Sequence, residues 1–495
     1  MPPLDPPAPL PPPPLRVRRA ALRLGFATLA VLMVAGGAEG AARLWGRAPA
    51  QAPSPLPFQD VAKERVTGTP GGRVWPFGRR RVAAHPKPGV RVQLFGESAA
   101  EGDGYVPFVA MGGAMERALR RALSSPVDVL DLGTPGAGSR QIVEVVRTSL
   151  AAEKPDAVVL YVGNNELHEF RALKTVMPGY SAHEELLRRR LWRSYAYRQL
   201  ATWLRPAPAP YVVDPRRWPT IDQLGTPADA DDRALAMYFY EENLRAMVAA
   251  AQATGVPVVV STVAVNERSV RRQQPTAEQL ALFAESDRLA KTDGAAAQAK
   301  YREAEALAER PLQALPQTRA IAARVAAETG ATLCDVATAL GEGQPLGLPG
   351  DESFDDACHP SAAGHLAIGT HLAACVLDAL GQPAAVAPAP PPRDDRRLDA
   401  WTSRREVDVL DDSTADAALR RGNTFVARKQ LREAAAAYTL AEGRGADPGV
   451  LALNRGLLAL YQADLATARS QLAAAAHALP GDVDVAGYAA AVGAE

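Results

Sequence analysis

The chain has 495 residues and a formal net charge of zero, 55 basic side chains against 55 acidic. That length exceeds what one hydrophobic core usually serves, so more than one folded unit is expected, and the charge balance gives no field for gathering nucleic acid, which drops out as a partner. Cys334, Cys358 and Cys375 are too few for a disulfide scaffold and, with no Cys-x-x-Cys pair, too scattered for a zinc site; they read as buried thiols, with a Cys334 to Cys358 disulfide as the alternative near the carboxyl edge of the sheet derived below.

Residues 1–19 are dominated by proline and read as a disordered tail. Arg16, Arg18, Arg19 and Arg23 precede an uncharged apolar stretch from Leu24 to Ala38. Extended through Trp45, it predicts a single membrane-spanning signal anchor over 20–45, with the N-terminus held in the cytoplasm and the remainder exported. A cleaved signal peptide is the alternative, since Ala38, Gly40 and Ala42 offer small residues to a peptidase. Residues 46–89, rich in proline, glycine and arginine, read as a connector.

Periodicity begins at Val90. Val90 to Phe95, Val127 to Leu132 and Ala157 to Val162 are short apolar runs with the character of buried strands, and Val256 to Val260 and Ala331 to Val336 repeat the signal. Helical spacing separates them: Phe108 to Leu123, with arginines gathered at its end where they suit the helix dipole, then Ser139 to Ala152, Glu241 to Ala253, Thr318 to Glu328 and Gly364 to Leu380. Strands alternating with helices predict a three-layer α/β domain over 90–380, with a parallel central sheet whose chemistry lies outside the carboxyl ends of its strands. Two excursions, 168–232 and 266–316, are long enough to be helical insertions above that active face. A proline and alanine linker over 381–396 precedes an all-α tail, 397–495. In the tail Gly422 and Gly456, Leu431 and Leu465, and Ala434 and Ala468 each recur 34 positions apart, the period of tetratricopeptide-like helix pairs.

Three strands end in residues that can carry chemistry. The first runs into Gly96-Glu97-Ser98, which places a serine on a strand-to-helix turn with its hydroxyl above the sheet. The second ends in Gly133-Thr134-Pro135-Gly136, whose backbone N–H groups can face a developing oxyanion. Gly163-Asn164-Asn165-Glu166 ends the third and offers carboxamides that either cap the next segment or point donors at a ligand. Before the last helix, Asp356-Ala357-Cys358-His359 is spaced for a carboxylate to orient an imidazole that takes the serine proton. His85 and His168 lack ligand-like spacing, His365 and His371 read as helix-packing or capping residues, and no metal or other cofactor is called for. Glu166 is open to pairing with an arginine or to meeting a polar substrate.

These four segments resemble those of the SGNH superfamily, the GDSL-like lipases and esterases. More narrowly, they resemble a bacterial subgroup with a membrane-anchor helix, a Gly-Glu-Ser first block, a Gly-Asn-Asn-Glu third block and tetratricopeptide repeats behind the hydrolase. The resemblance implies an esterase in which Ser98 is the nucleophile, His359 the base and Asp356 its orienting group. It also implies that Gly136 and Asn164 meet the oxyanion. Glu97 departs from the aspartate of the family name and Asp131 from an asparagine found in many members. An ester or acylated glycan is the implied substrate, the membrane a partner through the anchor, and the repeats a place for a protein partner, on the outer side of a bacterial inner membrane. Acetyl transfer to or from exported polysaccharide uses the same residues, and a non-catalytic binding protein on an esterase scaffold is the alternative of another class.

Overall fold

The computed structural model describes residues 33–44, 67–69, 72–74, 83–84 and, short gaps aside, 87–176, 181–204, 230–268, 275–307, 313–400 and 413–494. The expected tail 1–19, residues 20–32 of the anchor, most of the connector 46–89, and residues 205–229 and 269–274 of the insertions lie outside the described residues. The described residues fall into two compact units, 33–44 and 181–204 in one and the rest in the other.

The larger unit is built on a five-stranded sheet. Its strands are β1 (Val90–Gly96), β2 (Val127–Asp131), β3 (Ala157–Tyr161), β4 (Val258–Ser261) and β5 (Thr332–Cys334), in the order β2-β1-β3-β4-β5. Every pairing is parallel, as buried apolar runs joined by helices require. The two polar residues that interrupt β1 find partners inside: Arg91 donates from Nε to Asp128 at 2.8 Å, and Gln93 accepts from the Ser149 hydroxyl at 2.8 Å.

Helices cover both faces. On one side α1 (Met111–Ala122) packs against α6 (Ala362–Ala379); on the other lie α2 (Ser139–Ala152), α4 (Ala230–Gln252) and α5 (Gln317–Thr329), with α3 (Glu166–Val176) against α4. Among the described residues, α6 alone has the length and apolarity of a membrane span, and half of it is buried as the core helix of this layer. The strand expected to reach Val336 stops at Cys334, because Asp335 accepts from the N–H of Thr338 and starts the short helix Val336–Gly341. Glu166 meets neither an arginine nor a free surface. It opens α3 and accepts from both the N–H and the hydroxyl of Ser139, the first residue of α2, at 2.9 and 2.6 Å.

The disulfide joins Cys334 to Cys375, with Cα atoms 5.8 Å apart. This corrects the Cys334 to Cys358 alternative: β5 ends under α6, which carries Cys375, whereas Cys358 belongs to the loop before α6 and stays free. Closing a loop with a sequence separation of 41 restrains the unfolded chain by roughly 4 kcal/mol in the chain-entropy account.

The first insertion is divided between the two units. Its opening helix, α3, belongs to the sheet body. Helices Ala182–Trp192 and Tyr195–Leu204 belong instead to the smaller unit, with the helix 33–44. There Glu39 accepts from the Ser194 hydroxyl and from the N–H groups of Tyr195 and Ala196 at 2.8 to 2.9 Å. That carboxylate caps the exposed N–H groups that begin a helix.

The C-terminal tail comprises α7 (Ala415–Ala427), α8 (Leu431–Gly443), α9 (Pro448–Tyr461), α10 (Leu465–Ala478) and α11 (Val483–Ala491). A Cβ on Gly422 of α7 would stand 2.3 Å from the Tyr438 ring of α8, and one on Gly456 of α9 would stand 2.7 Å from Leu472 of α10. The 34-residue spacing therefore marks two equivalent close approaches of paired helices. The tail is not independent of the sheet body. Phe108 shares a core with Leu453, Leu457 and Tyr488, Arg120 lies over the Tyr488 ring at 4.6 Å, and Arg117 donates to the carbonyl of the fully buried Ala389 at 2.9 Å. Arg117 and Arg120 near the end of α1 are thus covered, and the segment 381–396 is laid on the body instead of swinging free. Tyr488→Ala is expected to destabilise the sheet body as well as the tail, by about 3 kcal/mol for a buried aromatic. Denaturant unfolding followed separately by tail and body fluorophores tests this, and a body transition that does not move would refute the coupling.

Candidate active site

Ser98 stands where β1 turns into the single-turn helix Ser98–Glu101. The turn is tight: a Cβ on Gly96 would meet the Tyr161 carbonyl oxygen and the Ala100 Cβ, each at 2.4 Å. Only glycine allows the turn that carries Ser98 to sit this close to β3.

The loop before α6 brings its imidazole to that serine. Nε2 of His359 lies 2.8 Å from the Ser98 hydroxyl, and Nδ1 lies 2.7 Å from Oδ2 of Asp356. The other oxygen of Asp356 accepts from the N–H groups of Cys358 and His359 at 2.9 and 2.7 Å, so one carboxylate fixes both the loop and the ring. Burial works against the charge on Asp356, but these hydrogen bonds prevail and hold its pKa at about 2. Burial likewise disfavours a charged His359, yet its bonds to Asp356 and Cys358 raise it above the ordinary imidazole value. Burial, with the charge of His359 adding to it, pushes His365 down to about 3; its Nδ1 accepts from the Met111 N–H at 3.2 Å, a packing role.

The two asparagines after β3 divide their tasks. Asn165 donates to the Ala137 carbonyl at 2.9 Å and ties its turn to the one carrying Gly136. Asn164 is buried, and its carbonyl oxygen accepts from the N–H of Ala314 at 3.3 Å. Because that neighbour can only donate, the amide is fixed with its NH2 pointing elsewhere, and this nitrogen is buried without a hydrogen-bond partner among the described residues. A buried donor left open by the protein is what a developing oxyanion needs. Gly136 sits exposed in its turn with φ of 72°, a left-handed conformation that suits glycine. The geometry therefore joins Ser98, His359 and Asp356 in one relay and leaves a donor on Asn164, while Gly136 is linked to them through the Asn165 bridge.

Three contributors were not visible as such in the sequence. Glu97, fully buried beside Ser98, accepts from the N–H groups of Gly163 and Asn164 at 2.7 and 3.1 Å; burial pushes its pKa up to about 8. The family departure at this position thus serves as the clamp between the first and third blocks. Asn266, just beyond β4, donates to Asp351 at 2.9 Å and to the Asp356 carbonyl at 3.2 Å, stapling the histidine loop. Its only signal was an asparagine at a strand's carboxyl end. Ala314, in the second insertion, acts through its backbone and carries no side-chain signal. Asp131, the other departure, accepts from the N–H of Gly133 at 2.9 Å and shapes the second turn.

The family model of the GDSL-like Lipase/Acylhydrolase family matches residues 94–367, more than half of the chain. No curated protein matches the sequence. Among solved structures, a G-D-S-L family protein from Desulfitobacterium hafniense DCB-2 is similar at 13% identity over 58% of this chain and 99% of its own, with a TM-score of 0.30. The acetylxylan esterase Axe2 from Geobacillus stearothermophilus is similar at 15% identity over 59% and 94%, with a TM-score of 0.31. The α/β hydrolase LAE5 from the metagenome of Lake Arreo shares 16% identity over 59% and 95%, with a TM-score of 0.29.

Proposed function

Since the chain belongs to the GDSL-like lipase/acylhydrolase family and is an esterase-type enzyme, we propose that it cleaves its ester through an acyl-enzyme on Ser98. Ser98 attacks the carbonyl carbon while His359 takes its proton at Nε2, and Asp356 holds the ring and offsets the imidazolium charge. The oxyanion is received by the N–H groups of Ser98 and Gly136 and by the Asn164 amide. His359 returns its proton to the leaving oxygen, and water resolves the acyl-enzyme by the reverse route. The observation that carries the reading is the unbroken contact from the Ser98 hydroxyl through both ring nitrogens of His359 to Asp356.

A fluorophosphonate, followed by intact mass and peptide mapping, tests the assignment. One adduct is expected, on Ser98. The base acts only when neutral, so with a raised pKa the labelling rate should climb with pH through a value above the usual imidazole range. Asp356→Asn removes the charge that retains the ring proton and should move that limb toward acid. A folded protein that stays unlabelled, or labels elsewhere, removes Ser98 from the mechanism and favours the binding-scaffold reading.

The proposal extends to the layout: an anchor over 20–45, the hydrolase over 90–380 and tetratricopeptide-like repeats over 397–495 that offer a face to a protein partner, all exported past a bacterial inner membrane. The four arginines before the apolar stretch and the Cys334–Cys375 disulfide support this placement. The substrate is then an ester of the envelope, with acyl groups on exported polysaccharide among the candidates. A periplasm-dependent reporter fused after residue 60 is expected to be active. Activity of a cytoplasm-only reporter at that position would reverse the topology.

A further inference from the structure

The loop that carries Asp356 and His359 also carries a thiol that the acyl-enzyme route does not use. Cys358 is the free cysteine, and its Sγ lies 3.8 Å from Nδ1 of His359. The same nitrogen is 2.7 Å from Asp356 Oδ2, and the three donor atoms all fall within 4.8 Å of one another. Zinc bound tetrahedrally, at about 2.3 Å from sulfur and about 2.0 Å from nitrogen or oxygen, holds S and N about 3.5 Å apart and N and O about 3.3 Å apart. The sulfur–nitrogen spacing already lies near that value. The nitrogen–oxygen spacing has to widen by about 0.6 Å to meet it, and the Asp356 side chain, 49% exposed, has room to turn. The His359 side chain is 35% exposed, which leaves a side open to solvent and to a water as fourth ligand. A thiolate, an imidazole and a carboxylate suit a borderline-soft ion and not magnesium or calcium. The other grouping of ligand-type atoms, Cys334, His371 and Cys375, has both its sulfurs in the disulfide.

Resting on the reading of His359 as the base, we propose that Asp356, Cys358 and His359 form an inhibitory site for zinc or a similar divalent cation, whose capture turns the hydrolase off. The chemistry is simple. The Cys358 thiol releases its proton to water and binds as thiolate; the proton that Nδ1 directs at Asp356 is lost to water from the charged ring, or passes through water to Nε2 in the neutral one, and the metal takes the Nδ1 lone pair so freed. The ring's remaining proton then sits on Nε2. That nitrogen can donate to the Ser98 hydroxyl but has no lone pair with which to accept its proton. Asp356 becomes a ligand and no longer orients the ring. Nothing is oxidised or reduced, and a chelator reverses the change.

The test uses the full chain in detergent, with its disulfide intact. Zinc chloride is titrated while hydrolysis of a small activated acetyl ester is followed, each variant normalised to its own rate in EDTA. Wild type is expected to be inhibited and to recover on chelation. Losing even an outer-shell partner costs a metal site ~10–100-fold in affinity, so Cys358→Ser is expected to raise the inhibitory zinc concentration at least about tenfold. Independently of turnover, cobalt added to the Ser98→Ala protein should give a thiolate-to-cobalt charge-transfer band, lost when Cys358→Ser is added. Inhibition unchanged by Cys358→Ser, or no such band, overturns the site and leaves the catalytic reading standing. A cobalt band in an enzyme whose turnover zinc does not touch overturns the inhibitory role, and His359 as base with it.

Discussion

Ser98→Ala and His359→Ala are each expected to lower kcat by about 10⁵- to 10⁶-fold, and the double variant is expected to be no worse than either alone. The reasoning is that the serine hydroxyl and the imidazole act as one unit, joined at 2.8 Å. A hydroxyl without its base is a weak nucleophile, and a base without the hydroxyl has nothing to activate. What survives in each variant is the oxyanion site and ordinary substrate binding, which neither substitution touches. Turnover of an activated ester, with folding checked by circular dichroism, measures all three proteins. Losses that multiply in the double variant would show that the two residues contribute separately, and the relay would have to be abandoned.

How much of this was legible beforehand depends on where the determining contacts lie. Ser98, Gly136, Asn164 and the Asp356-to-His359 segment stood out as candidates because each motif is local and follows a strand or precedes a helix that the apolar pattern already marks. A parallel sheet then brings the strand ends to one edge. Contacts between segments distant in sequence were not legible. Glu97 looked like a departure from a motif, but its meaning lies in the N–H groups of Gly163 and Asn164, two strands' worth of chain away. Cys334 could not be paired from spacing, because the choice between Cys358 and Cys375 depends on how α6 lies over β5. The arginines of α1 fit a helix dipole on paper; in the fold Arg117 and Arg120 are covered by Ala389 and Tyr488. Helical spacing identified the face of α1, and it could not say that segments so far along the chain would cover the other side.

Asn164 is the residue where a structural and a catalytic role can be separated most sharply. Asn164→Asp keeps the side-chain oxygen that accepts from Ala314 at 3.3 Å, and so preserves the local packing, but it replaces the open NH2 with an acceptor. Asn164→Ala removes both atoms. If the amide's work is to meet the oxyanion, both variants lose about 10²- to 10³-fold in kcat, on the order of 3 kcal/mol of transition-state stabilisation. KM should change little, because the ground-state carbonyl gains less from this donor than the tetrahedral intermediate does. Asn164→Asp should lose at least as much as the alanine variant, since a carboxylate beside the forming oxyanion adds repulsion. If its only work were to pack Ala314, the aspartate variant would keep most of its activity and the alanine variant alone would suffer. Steady-state kinetics of the two, with thermal melts alongside, distinguish these patterns. An aspartate variant that turns over at the wild-type rate would remove Asn164 from the oxyanion site and leave only the backbone N–H groups of Ser98 and Gly136 to form it.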